Sequence, residues 1–297
     1  MKEINWFPGH MAKSRRELLS NLTRAELILE VCDARVPNSS RHPDLDKMFK
    51  RKPVWTILGK ADLADPFCTE RWLEQAVADN AIWLALNILS DDDLLELRQK
   101  LLDYNQQYIS IARRKGKIVS PLRIVIVGIP NSGKSTLINR LIGRKSARTS
   151  NKPGVTRNLT WIRGGTDFEV LDTPGILPPR LDTIEMKRNL AAVGAIPDEI
   201  LPIEEVSFAL FRQLAVNYPD LIKARFGINI RIENACSLCE INAWELFQQA
   251  ALKRNCLASG GEPDLPRFNN LFLQEFRSGK IGRVSLECPQ AEIKKVL

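Results

Sequence analysis

The sequence predicts an α/β fold with a mainly parallel sheet, followed by a smaller all-α C-terminal domain. Three observations predict it. Short apolar runs alternate with helical runs through about residue 178, the pattern of a layered sheet. One run, Arg123-Ile124-Val125-Ile126-Val127, is apolar and β-branched after its first residue, as a strand buried on both faces should be. Beyond Arg180 the strand-like runs stop and helical periodicity takes over. The expected division is therefore 1–178 and 179–297.

The elements follow in order. Residues 26–32, 54–58 and 82–86 read as strands, as does 123–127. Residues 136–142, just beyond that strand, read as a helix. The runs 159–163 and 168–171 are separated by Gly164-Gly165, a turn signal, and form an expected antiparallel hairpin. In the second domain, Pro202 with Glu204 and Glu205 is a helix start, and Val206, Leu210, Phe211 and Leu214 recur at helical spacing. Residues 243–252 and 268–276 also read as helical. Trp55, Trp72, Trp83 and Trp244 lie on apolar runs and are expected in the core.

Composition bounds the function. The chain has 297 residues, 44% hydrophobic, with 16 Gly and 17 Pro, which excludes a disordered, collagenous or disulfide-scaffold protein. No run approaches the ~18 apolar residues of a membrane span. The opening residues lack the apolar core of a signal peptide, so a cytoplasmic protein with reduced thiols is expected. Cys236-Ser237-Leu238-Cys239 has zinc-like spacing, but one pair without a nearby His reads better as buried thiols. The net charge of +8 is uneven: residues 1–178 hold 28 basic and 20 acidic side chains, and residues 179–297 hold 15 of each. From Tyr104 to Thr166 there are thirteen basic residues and no acidic one. An anionic partner, nucleotide phosphate or RNA backbone, fits that stretch better than a solvated face of mixed sign.

Gly128-Ile129-Pro130-Asn131-Ser132-Gly133-Lys134-Ser135 matches the phosphate-loop pattern G-x-x-x-x-G-K-[ST] completely, between a buried strand and a helical run. Such a loop turns the N–H groups of Asn131, Ser132, Gly133, Lys134, Ser135 and Thr136 toward phosphate oxygens, helped by the helix dipole. Lys134 is expected to neutralise the β- and γ-phosphates, and the Ser135 hydroxyl to ligate Mg²⁺. Asp172-Thr173-Pro174-Gly175 follows a strand thirty-seven residues after Ser135. Asp172 can hold Mg²⁺ through water, and the Gly175 N–H can meet a γ-phosphate. Between them, Thr156 of Pro153-Gly154-Val155-Thr156 is the candidate Mg²⁺ and γ-phosphate ligand of a switch segment.

In most GTPases a guanine-reading Asn-Lys-x-Asp motif follows these elements. Here a near match, Gly59-Lys60-Ala61-Asp62, precedes them, at the end of a strand. A parallel sheet tolerates that order if the chain is cut and rejoined elsewhere. With the motif order GKAD, GIPNSGKST, PGVT, DTPG, the opening Trp6-Phe7-Pro8-Gly9-His10-Met11 and Asp33-Ala34-Arg35-Val36-Pro37, the chain resembles the circularly permuted GTPases of the ribosome biogenesis GTPase A family. The likeness continues into Ala258-Ser259-Gly260-Gly261 and Gly282-Arg283-Val284-Ser285.

The resemblance implies a circularly permuted P-loop GTPase domain binding GTP or GDP with Mg²⁺. It implies GTP hydrolysis in late maturation of the large ribosomal subunit, rRNA contact by the helical domain, and a monomer off the ribosome. It assigns guanine reading to Asp62 and packing over the base to Lys60. It also places the segment of His10 near the phosphates, where a neutral imidazole could orient water; a structural or RNA-contacting role is the competing reading. Lys134 and Gly175 complete the expected catalytic set. Ile176 stands where many GTPases carry a water-orienting Gln. Asn131 is similar to the Asn that helps hold K⁺ in some GTPases. Two departures stand out. Position 59 is Gly where the family has Asn, so restoring Asn is expected to tighten guanine binding. The guanine-backing loop, normally of Ser-Ala type, reads Leu86-Asn87-Ile88-Leu89-Ser90. An RNA-binding assembly protein with a degenerate nucleotide site is the main alternative; a small-molecule kinase is a third reading.

Overall fold

The apolar runs build one six-stranded sheet. Its strands are β1 (Leu27–Asp33), β2 (Val54–Gly59), β3 (Ile82–Leu86), β4 (Leu122–Gly128), β5 (Thr160–Gly164) and β6 (Phe168–Asp172), in the order β3-β2-β1-β4-β6-β5. Every neighbouring pair is parallel except the β5–β6 hairpin. The computed structural model describes residues 24–42, 52–116, 121–143, 160–165, 167–173, 181, 183–230 and 240–289. They fall into two compact units: an α/β unit, whose described residues run from 24 to 173 and resume at Glu287, and a helical unit, Leu181–Leu286.

β1 is buried along its whole length, because it is a central strand with helices on both faces. Its side chains alternate. Leu27, Leu29 and Val31 join Ile57, Ile124, Ile126 and Val170 on one face. That face is covered by Leu97 and Leu101 of α3 (Asp91–Arg114) and by Leu137, Ile138 and Leu141 of α4 (Lys134–Ile142). Ile28 joins Val125, Val127 and Leu171 on the other face, and Cys32 packs with Leu58 and Ala64. Each fully buried Leu, Ile or Val stabilises by ~1.5–3 kcal/mol before chain entropy is counted. A one-turn helix, α1 (Pro37–Ser40), follows β1. The helix α2 (Pro66–Ala78) starts with Asp65 accepting from the Phe67 N–H at 2.9 Å. In α3, Ser90 caps the start, three Asp fill the first turn, and Arg113 and Arg114 sit in the last. That polarity complements the helix dipole. Trp55 is buried as expected, and Trp72 stacks on Trp83 with ring centroids 5.8 Å apart.

The helical unit contains α5 (Ile184–Ala192), α6 (Ile203–Asn217), α7 (Pro219–Phe226), α8 (Glu240–Lys253) and α9 (Leu265–Arg277). Its only strand-like feature among the described residues is a bridge between Leu257 and Pro263. Phe211, Phe226, Phe247, Phe268 and Phe272 make the core, their contacting rings 4.9–6.1 Å apart and mostly edge to face. Glu275, buried on α9, receives two hydrogen bonds from Arg225 and one from Arg254. Burial opposes its ionisation, but those guanidinium groups hold its carboxyl below the usual range. No described helix is long and apolar enough to cross a membrane.

Candidate nucleotide site

The strand order brings three loops to one edge. β1 lies between β2 and β4, with Asp33 paired to Gly59 and Val31 to Gly128. The chain passes from β1 outward to β2 and β3, then returns to β4 on the other side of β1. Loops diverging from such a switch point leave a crevice at the carboxyl ends of the strands.

The phosphate loop leaves β4 at Gly128. A Cβ there would lie 2.2 Å from the Val31 carbonyl oxygen, so the close approach to β1 demands glycine. Asn131 (φ 59°) and Gly133 (φ 97°) turn the loop through left-handed conformations, the backbone of an anion nest. α4 starts at Lys134 without a side-chain cap, which leaves its first N–H groups and the positive end of its dipole for an anion. The Lys134 ammonium is buried and donates to the Ile129 carbonyl at 2.6 Å, which holds the cation at the loop. Ser135 and Thr136, half-buried, occupy the first turn of α4. These groups fit a Mg²⁺-bound triphosphate, with Ser135 as the protein oxygen for the ion.

The base-reading candidates sit at the neighbouring strand end. The Gly59 carbonyl accepts from the Ala34 N–H at 2.9 Å, and the Ala61 N–H donates to Leu86 O at 3.2 Å. Lys60 is left-handed (φ 59°), and its ammonium donates to Asp33 at 3.0 Å. Asp33 also accepts from the Arg35 guanidinium at 2.9 and 2.8 Å and from the Arg35 N–H at 3.1 Å. Both members of the Asp33–Arg35 pair are 1% exposed. Burial opposes ionisation of Asp33, yet Arg35 and Lys60 hold its carboxyl far below the ordinary carboxylate range. Asp62 is exposed and open to a ligand.

Gly59 touches the phosphate loop: a Cβ added to it would lie 3.2 Å from the Ser132 carbonyl oxygen. It would also meet Ile88 Cδ1 at 2.9 Å. An Asn at position 59 therefore needs the Ile88 methyl and the Ser132 carbonyl to give way before its amide can add a hydrogen bond. The loop of Ile88 spends its polar groups locally. Asn87 donates its N–H to Asp93 at 2.7 Å and accepts from the Leu89 N–H at 3.0 Å, which leaves Ile88 as its buried member.

Asp172 closes β6 in register with Ile126 of β4; its side chain lies outside the described residues. His10, Thr156 and Gly175, and the Cys236–Cys239 pair, lie wholly outside them. Thr173 was not singled out by the sequence reading. Its buried hydroxyl donates to the Ile126 carbonyl and ties the end of β6 to β4. Among the described residues there is no cluster of three or more His, Cys, Asp or Glu able to hold a metal. Cys32 is buried, and burial pushes its thiol well up, so it is a core residue. The basic stretch is partly neutralised: Arg123 and Arg163 share Glu169, and Arg140 pairs with Asp91. Arg113, Arg114 and Lys115 are exposed.

Residues 123–213 match the 50S ribosome-binding GTPase family. Ribosome biogenesis GTPase A of Priestia megaterium is 38% identical over 287 residues, covering 96% of this chain and 97% of that protein. A GDP-bound structure of TM YlqF superposes with a TM-score of 0.64 at 28% identity, covering 92% of this chain and 99% of that one. A GNP-bound YlqF from Thermotoga maritima gives 0.63 at 28%, over 94% and 99%. With an intact phosphate loop beside the strand end that carries Gly59-Lys60-Ala61-Asp62, and relatives alike over nearly their full length, this chain belongs to the ribosome biogenesis GTPase A family.

Proposed function

We propose that this chain binds GTP and GDP, hydrolyses GTP with Mg²⁺, and times a step in the assembly of the large ribosomal subunit in the cytoplasm, leaving the particle as a monomer. The observation that supports this best is the contact of Gly59, first residue of the base-reading stretch, with Ser132 of the complete phosphate loop.

The roles follow from chemistry. Backbone N–H groups of Asn131 to Thr136, the α4 dipole and Lys134 take the phosphate charge. Phosphoryl transfer needs positioning and charge neutralisation more than covalent chemistry. Ser135, Thr156 and Asp172 would hold Mg²⁺, which would supply positive charge toward the β- and γ-oxygens. Asp62 accepts from the guanine N–H groups, while the Lys60 stem lies along the base. Ile176 cannot orient water, so His10 takes that role. Asn131 would be a ligand to a K⁺ ion, which would supply charge where an arginine finger acts in other GTPases. Gly175 stands a few residues before the helical unit that begins at Leu181. A γ-phosphate engaging Gly175 thereby biases the helical unit and changes ribosome affinity with nucleotide state.

RNA contact needs a basic face. In the helical unit Arg225 and Arg254 are engaged by Glu275 and Arg277 by Asp198, while Arg188, Lys223, Lys253, Arg267 and Lys280 are exposed; in the 104–166 stretch Arg113, Arg114 and Lys115 are exposed, so both units offer basic side chains. Titration with GTP, GDP and ATP, followed by co-sedimentation with precursor large subunits, tests the proposal. Guanine nucleotides binding well ahead of ATP, with GTP and GDP forms differing in particle binding, supports it. ATP preference, or equal particle binding in both forms, contradicts it.

A further inference from the structure

Gly59 has no left-handed backbone that would require glycine. What crowds a side chain there is its surroundings. An added Cβ meets Ile88 Cδ1 at 2.9 Å, Ser132 O at 3.2 Å and Cys32 O at 3.4 Å. The same Ile88 methyl lies 2.9 Å from where a Cβ on Gly133 would stand. Ile88 is 6% exposed and packed in the core with Ile57, Leu86 and Leu137, so it has little room to swing away. One methyl group thus occupies the junction of the base-reading loop, the phosphate loop and the loop after β3.

A nucleotide is gripped at both ends, and its affinity depends on how well the spacing of the two grips is set before it arrives. An Asn at position 59 sets that spacing through its amide. This chain has no such amide at position 59. We propose that Gly59 and Ile88 are a matched pair: Ile88 is an apolar wedge that sets the separation of the Lys60–Asp62 segment from the phosphate loop. Ile88 is therefore a positioning residue for guanine nucleotide binding. The inference rests on the nucleotide reading above and deepens it. Positions 59 and 88 are energetically coupled, and Asn is accepted at 59 only when 88 is small.

The test is a double-substitution cycle read as the dissociation constant of N-methylanthraniloyl-GDP, with thermal melting of each variant in parallel. Ile88→Val removes only the wedging methyl and weakens binding about two- to ten-fold. Gly59→Asn alone weakens binding. Gly59→Asn combined with Ile88→Ala binds more tightly than either single variant, a rescue that mere loosening of the core would not produce. Gly59→Asn tightening binding by itself, or Ile88→Val binding like wild type while only its melting point falls, overturns the proposal. Should Ile88→Ala not fold, the Val variant and Gly59→Asn decide. Wild-type protein that does not bind the probe removes the nucleotide reading itself, a failure distinct from a wild type that binds without coupling.

Discussion

Replacing Asp33 with Asn removes a charge at the centre of the site while keeping the shape of the side chain. Asp33 and Arg35 are each 1% exposed, so water cannot take over the lost interaction. Arg35 loses the anion that receives its Nε at 2.9 Å and its terminal nitrogen at 2.8 Å, and Lys60 loses its 3.0 Å contact. Breaking a buried pair by neutralising one partner costs about 3–5 kcal/mol, because it strands the other charge. For a unit of this size each kcal/mol lowers the melting temperature by about 2–4 °C, so Asp33→Asn should melt about 6–20 °C below wild type. Scanning calorimetry with and without GDP is the assay. A second effect follows from Lys60: freed from Asp33, the base-reading turn loosens, and GDP should protect the variant less than wild type. A melting temperature within about 1 °C of wild type, with full GDP protection, would refute the reasoning.

Lys134→Ala should abolish detectable GTP and GDP binding in calorimetric titration, since the buried ammonium is the cation of the phosphate loop. His10→Ala should slow GTP turnover while leaving GTP affinity near wild type; unchanged phosphate release removes His10 from the site. Asp33 and Glu275 both ionise more readily in the fold than in the unfolded chain. Their stabilisation is present above the unfolded carboxylate pKa of ~4 and is lost as pH falls below it, so melts should be flat from about pH 7 to 5 and drop steeply below about 4. RNA affinity should fall steeply with added salt if phosphate contacts dominate, which filter binding at several ionic strengths would measure.

Much of the fold was legible because its signals are local. Continuous apolar runs such as 124–127 announce a strand buried on both faces, and Gly164-Gly165 announces the hairpin. The phosphate loop was legible because each of its residues has a fixed mechanical duty, and the upstream GKAD stretch because a parallel sheet preserves strand ends when the chain order changes. What was not legible depends on contacts distant in sequence. Asp33 and Lys60 are joined only by the β1–β2 register. Ile88 looked like a poor guanine-backing residue, and its packing against Gly59 and Gly133 follows from tertiary geometry. The Thr173 hydroxyl could have been suspected from its place directly after a strand-ending Asp, but its partner on β4 could not.

The most direct measurement of the permuted guanine site is the base preference of Asp62→Asn. Guanine presents an amino group at C2 and xanthine a carbonyl, so a carboxylate suits the first and an amide donor the second. The variant should lose affinity for GDP and gain it for xanthosine diphosphate, with the phosphate loop untouched. GDP affinity unchanged by the substitution would mean that Asp62 does not read the base, and the guanine site would have to be sought elsewhere.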